Sequence, residues 1–270
     1  ELLLSALDAG ARDILLGIGG SATNDGGMGF LSALGARFID ADGQVVPDGG
    51  QGLSRVFRAD LSGLDRRLGE TGLRVICDVS NPLLGREGAT HVYGPQKGVT
   101  PALLEKLEQG MEHYARVMQE ALGRDIASVP GAGAAGGMGA ALHGVLGARL
   151  LRGVDAVLEA AGFDALLEGA DLCITAEGRM DGQSIAFGKV PVGVAVRCRE
   201  KGVPVVAIVG GMTEDAMAFL RHGDASIMTT INAAMRVEDA MQNAESLMEG
   251  AAERMLRLID IGRKMGRGNG

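Results

Sequence analysis

Apolar positions recur along this chain in two rhythms. Over residues 101–122 they fall at Leu103, Leu104, Leu107, Met111, Tyr114, Ala115, Met118 and Leu122, one stripe of a long amphipathic helix. Elsewhere they gather in short branched runs at 14–18, 36–39, 74–79, 172–175, 203–209 and 225–229, the length of buried strands. Helical spacing returns at 190–201, 215–222 and 237–259, so strand and helix alternate beyond Gly162. That alternation predicts a parallel sheet with helices on its faces. Residues 1–7 read as a helix in mid-course that stops at Gly10, with no capping residue before it. A missing N-terminal piece, able to widen a thin three-stranded sheet, is therefore expected.

Two glycine-rich loops interrupt the pattern. The first, 19–27, follows the 14–18 strand and leads into a helix marked by Phe30, Leu31 and Leu34 and ended by Gly35. Strand, glycine turn and helix in succession present free amides to an anion. The second, 130–139, leads into a helix through Leu142, Val145 and Leu146. Both loops run into GGMG, at 26–29 and 136–139, and both helices close with LGAR. Residues 46–72, with Pro47 and Gly49, Gly50 and Gly52, predict an exposed excursion, and 85–98, with His91, Tyr93, Gln96 and Lys97, an irregular segment.

Composition narrows the function classes. At 270 residues, 46% hydrophobic and 22% charged, the chain suits one large or two ordinary soluble domains. A net charge of −8, no tryptophan and two tyrosines argue against nucleic-acid binding. The long uncharged stretch 126–148 is too rich in glycine and alanine for a membrane span. Cys77, Cys173 and Cys198 stand far apart with no CxxC pair, which fits a reducing compartment and a cytoplasmic location.

Candidate chemistry sits at the strand ends. Gly17, Gly19 and Ala22 satisfy a dinucleotide fingerprint, with Asp40 near the place of a ribose-binding acid. Asp25, however, would set its charge against the pyrophosphate, so an NAD-dependent dehydrogenase of a small 2-hydroxy acid is the second reading. Residues 182–189 fail as a P-loop, with one residue too many and Val190 where a magnesium-binding hydroxyl belongs. A wider constellation carries more: Ser21, Thr23, Asn24 and Asp25 after one strand, Asp78 and Asn81 after another, and Glu177, Arg179, Asp181, Ser184 and Lys189 after a third. Singly each reads as a cap or turn residue. Together, with Lys97, Arg179 and Lys189 as counter-charges, they suit phosphoryl transfer, which needs carboxylates for magnesium, cations and amides for the phosphoryl group, and a base for the acceptor. The four histidines show no ligand spacing and no G-x-S-x-G elbow exists.

GIGGSATNDGGMG (17–29), CDVSNPLLG (77–85), YGPQKG (93–98), PGAGAAGGMGAAL (130–142) and EGRMDGQS with GKVPVGVA (177–195) resemble, in order, the bacterial glycerate kinase family. The resemblance implies transfer of phosphate from MgATP to D-glycerate, in most bacterial members at the 2-hydroxyl. It implies an α/β fold of two domains, a flavodoxin-like parallel-sheet domain and an inserted domain resembling a restriction-enzyme core. Residues 1–165 would be most of the insert, and 166–270 the C-terminal half of the flavodoxin-like domain. Family members carry a further N-terminal segment with PDSFKG-like and DGGEGT-like motifs, which are absent here; a non-catalytic fragment of the kinase is thus a third reading. Ala176 stands where many relatives have glycine, and the 183–188 loop is expected to be slightly longer than usual.

The roles expected are these. Ser21, Thr23 and Asn24 bind phosphate or the glycerate carboxylate; Asp25 and Asp78 serve as base and magnesium ligand, in either order. Arg179 or Lys189 neutralises charge, and Gly133, Gly136 and Gly137 let ligand approach the backbone. Asn81, Lys97, Glu177, Asp181 and Ser184 complete the substrate and nucleotide set. ATP and Mg2+ are the expected cofactors, with a homodimer as the candidate assembly and no nucleic-acid or membrane partner.

Overall fold

A computed structural model describes residues 1–186 and 188–267. The chain divides into two compact units, Glu1–Gly153 and Val154–Gly270, and the architecture is mixed α/β with parallel sheets.

In the first unit β1 (Asp13–Gly17) pairs parallel with β4 (Gly72–Ile76), and β4 pairs parallel with β5 (Arg149–Leu151). A small antiparallel pair, β2 (Arg37–Ile39) and β3 (Arg58–Asp60), lies between them in sequence. Central β4 buries Leu73 and Val75, whereas β1 buries no residue fully, as expected of a strand with one neighbour. The long helix spans Pro101–Leu122. Its buried stripe, Met111, Tyr114, Ala115 and Met118, packs with Phe38, Leu53, Val56 and Met28, and the Tyr114 and Phe38 rings meet at 5.7 Å. Leu103 lies outside that stripe at 37% exposure, while Glu108 lies inside it. A buried carboxylate needs a donor, and Glu108 accepts the Gly85 amide at 2.6 Å.

Expectations for two segments of this unit change. Residues 46–72 are no exposed excursion: Val46, Leu53 and Val56 are buried, carried by a 3-10 turn at Gly50–Arg55 and by β3. The irregular 85–98 segment holds a helix, Ala89–Tyr93, and a 3-10 turn, Pro95–Lys97. β5 has too few residues to announce itself in the apolar pattern.

In the second unit β6 (Cys173–Met180), β7 (Val205–Met212) and β8 (Ala225–Thr229) form a parallel sheet with β7 central. Its core joins Val205, Ala207 and Val209 of β7 to Val192, Ala195 and Cys198 of the helix Val190–Lys201, with Phe219 and Leu167. On the long C-terminal helix Ala244–Arg267, Ala251 and Met255 pack with Ile208. The helix expected at 237–259 is two, Val237–Gln242 and Ala244–Arg267, broken at Asn243. β6 extends past Thr175 to Met180, so Glu177 and Arg179 lie within the strand rather than after it. Continued pairing, Arg179 against Gly211, prolongs it. Phe187, in the expected 183–188 loop, lies outside the described residues.

Candidate active site

The two glycine loops that echo one another in sequence meet in space. The Gly26 amide donates to the Gly136 carbonyl at 2.9 Å. A Cβ at Gly136 would stand 1.9 Å from the Thr23 carbonyl oxygen, and one at Gly137 would stand 2.5 Å from Gly26 Cα. Ala135, Gly136 and Gly137 all take positive φ, the alanine at 54°. Contact this close excludes side chains at Gly136 and Gly137, whereas a Cβ at Gly26 would meet the Tyr114 ring, one at Gly27 the Ala141 methyl and one at Gly139 the Gly131 carbonyl. Gly133, Gly136 and Gly137 are accordingly buried against neighbouring backbone, including Pro82 O beside Gly133; Ala134 and Ala135 are the residues of this loop that line open space.

That space is a cavity of about 360 Å³ at the carboxyl ends of β1 and β4, lined by Gly17 to Ser21, Asp78, Tyr93, Gln96, Lys97 and Ala135 among others. Lys97 anchors one wall. Its Nζ donates to Ser21 Oγ at 2.9 Å and to the Thr23 carbonyl at 2.7 Å. Burial lowers its pKa below the ordinary lysine value, and the Asp25 charge works in the opposite direction. Asp78 is exposed and lines the same cavity, with Oδ1 accepting the Gly153 amide at 2.6 Å. Tyr93 donates to Asn81 Oδ1 at 2.6 Å, while Asn81 Nδ2 donates to the Glu87 carbonyl. Asn81 thus holds Tyr93, and burial raises the Tyr93 phenol pKa. Asn24 Nδ2 donates to Thr90 Oγ1 at 3.3 Å, leaving a buried Oδ1 with no partner.

Asp25 is engaged differently. It is 7% exposed, and its two oxygens accept the Gly27 and Gly29 amides, each at 3.0 Å, at the start of the helix Met28–Ala33. Replacing it with alanine strands two buried donors. Asp25→Ala is expected to cost about 2–3 kcal/mol, measurable by urea unfolding.

Asp40, the ribose-binding acid of the dinucleotide reading, accepts the Asp42 and Gln44 amides and pairs with Arg55 at 2.9 Å. Those bonds, the amide of Gln44 foremost, lower its pKa. The helix after the first loop begins only at Met28, well past Ala22. Nothing in this geometry supports a pyrophosphate on the 17–22 segment.

The remaining expected residues lie in the second unit. Glu177 and Arg179 face a separate pocket at the carboxyl ends of β6 to β8. Asp181 Oδ1 accepts the Ser184 amide at 2.9 Å and its hydroxyl at 3.1 Å; these bonds and nearby Lys189 and Arg179 lower the Asp181 pKa. Lys189 is exposed just before the helix Val190–Lys201. Sequence reasoning left out Cys77 and Ala135, which line the first cavity, and Met212 and Thr230, which line the second. The glycines at the end of β7 were the available signal. Among the described residues no cluster of three or more His, Cys, Asp or Glu could hold a metal ion, and no helix is long and apolar enough to cross a membrane.

Parallel α/β units with pockets at the carboxyl ends of their strands, one of them holding Lys97, place this chain among the ligand-binding α/β proteins. The chain belongs to the glycerate kinase family, a family of phosphotransferases, whose model matches residues 1–260. It is 45% identical to the glycerate kinase of Bacillus subtilis, over 98% of this chain and 69% of that protein. It is 43% identical to the glycerate 2-kinase of Escherichia coli, over 97% of this chain and 68% of that protein, and 46% identical to the glycerate kinase of Halalkalibacterium halodurans, over 93% and 66%. A crystal structure assigned to glycerate kinase 2 of Salmonella typhimurium LT2 superposes with a TM-score of 0.80 at 44% identity, covering 97% of this chain and 68% of that one. The chain thus spans about two thirds of the length of these relatives.

Proposed function

We propose that this chain belongs to an ATP-dependent kinase that phosphorylates D-glycerate at its 2-hydroxyl. The observation that carries the reading is the cavity of the first unit, where Lys97, held by Ser21 and Thr23, faces the same space as Asp78. Lys97 supplies the cation for a carboxylate or a migrating phosphoryl group, and residues 17–21 line the same space. In the reaction, the acceptor hydroxyl oxygen bonds to the γ-phosphorus, the bond from that phosphorus to the bridging oxygen breaks, and ADP leaves. The hydroxyl proton passes to a carboxylate.

Asp78 is the carboxylate we assign to this work, as base or magnesium ligand. One of its oxygens holds the Gly153 amide, and a carboxylate retains lone pairs for a hydroxyl or an ion. Magnesium keeps several waters and takes one or two protein carboxylates, so a single exposed aspartate fits it. When bound with the nucleotide, the ion neutralises phosphoryl charge. Asp25, with both oxygens on backbone amides, is assigned to shaping the loop. Arg179, Lys189, Glu177, Asp181 and Ser184 are assigned to the nucleotide. The units correspond, in the same proposal, to most of an inserted domain and to the C-terminal half of a flavodoxin-like one. The absence of a membrane-crossing helix among the described residues and the three free cysteines support a cytoplasmic location.

A coupled ADP-release assay with D-glycerate and MgATP tests the reading, and phosphorus NMR of the product distinguishes 2- from 3-phosphoglycerate. Asp78→Asn is expected to lower kcat by about 10²–10⁴-fold with little change in KM. Normal turnover in that variant would remove Asp78 from the mechanism. The two-thirds coverage favours one further reading, a chain that binds ligand but turns over only as part of a longer protein. Binding of glycerate by calorimetry without ADP release would identify it.

A further inference from the structure

The larger pocket of the second unit has about 720 Å³ of volume, within the roughly 300–1,000 Å³ of small-molecule sites. It opens at the carboxyl ends of β6, β7 and β8, the side of a parallel sheet where ligands bind. One wall is apolar and adaptable: Met212 ends β7, Ile231 follows β8, and Met241 and Met248 come from the two C-terminal helices. Met241 is 73% exposed, so apolar surface is left open at the pocket. The lining also carries charge, with Glu177 and Arg179 on β6. Cβ atoms placed at Gly178 or Gly211 would meet nothing within 4 Å, so a flat ring has free access to main chain there. The first-unit cavity has half the volume and carries Lys97 in its lining, suited to a small acid rather than a heterocycle.

We propose that this pocket seats the purine nucleoside of the nucleotide co-substrate. The base lies among Met212, Ile231, Met241 and Met248, the ribose hydroxyls donate to the Glu177 carboxylate, and the phosphates lead toward Arg179. The charges are complementary: a carboxylate for a diol, and a guanidinium whose contact with Asp181 is a loose 3.9 Å for a phosphate. The assignment rests on the kinase reading and deepens it.

Photolabelling tests the two separately. The 270-residue chain is irradiated with 2-azido-ATP and MgCl2, digested, and mapped by mass spectrometry, with ATP binding followed by calorimetry. The expected result is a label on peptides within 210–248 that excess ATP competes away and D-glycerate does not. Met241→Glu, a change at an exposed position, is expected to weaken ATP binding at least tenfold and leave D-glycerate binding unchanged. A competed label confined to residues 1–153, or full ATP affinity in Met241→Glu, overturns this assignment and leaves the kinase reading standing. No ATP binding and no competed label overturns both for this chain.

Discussion

Gly136→Ala is expected to lower the melting temperature by roughly 5–15 °C, a large effect for one added methyl group. Two costs add. At φ 71° the residue occupies the left-handed region, where a side chain costs about 1–2 kcal/mol. The new Cβ would also stand 1.9 Å from the Thr23 carbonyl oxygen, and relieving such a clash by backbone movement costs about 1–3 kcal/mol. Gly147→Ala separates these contributions. Its φ is 69°, but a Cβ there meets nothing within 4 Å, so only the conformational cost applies, with an expected drop of about 2–8 °C. Thermal melts followed by circular dichroism at matched concentration give both numbers. Equal shifts in the two variants would mean that the loops do not depend on this contact. Because the carbonyl displaced in Gly136→Ala is an acceptor for Lys97, ligand binding at the cavity should fall with stability in that variant and not in Gly147→Ala.

Lys97→Met is expected to reduce kcat/KM by about 10²–10³-fold while leaving the fold intact, since removing one preorganised donor from a reacting centre costs that much. Methionine keeps the length and apolar stem of lysine but loses the ammonium, so Ser21 Oγ and the Thr23 carbonyl lose their shared donor. Arginine is not an adequate substitute: its planar fork does not reproduce a point charge between a hydroxyl and a carbonyl. The pH dependence has a definite sign. Burial lowers the Lys97 pKa below the usual 10.5, so the cation is lost on the alkaline side sooner than for an ordinary lysine, and activity should fall there. Stability runs the other way. Between the lowered folded value and the ordinary unfolded value the unfolded chain binds more protons, so stability contributed by this group rises with pH across that window. Below the folded value both states are protonated and its contribution is constant. An alkaline limb that persists unchanged in Lys97→Arg would show that another group sets it.

Much of this was legible in the chain. Periodicity alone placed the helix Pro101–Leu122 and the strand Ala225–Thr229 at their observed limits, because a long stripe and a short branched run leave little choice of structure. The strand ahead of the first glycine loop was legible too, as were the motifs that mark the family. Less legible were segments whose structure comes from pairing or packing rather than local pattern. Three-residue β5 exists because β4 offers it partners, and β6 runs on through Glu177 and Arg179 because β7 continues beside it. Leu53 and Val56 were hidden among glycines and charges, yet Met28 and the Pro101–Leu122 helix cover them.

By itself the sequence determined that this is an α/β protein of the glycerate kinase family, with one glycine loop at a strand end, a second that echoes it, and acids and lysines at strand ends. Those properties are local, written in spacing and residue type. Only the tertiary structure decided which of those residues share a space. It set Lys97 on Ser21 and Thr23 across more than seventy residues, turned Asp25 inward to backbone amides, and left Asp78 facing the cavity. It also brought the two glycine loops together, so that Gly136 and Gly137 must be glycine because the backbone of residues 23–26 stands against them. Contacts between distant segments depend on how sheets and helices pack, and no local pattern encodes them.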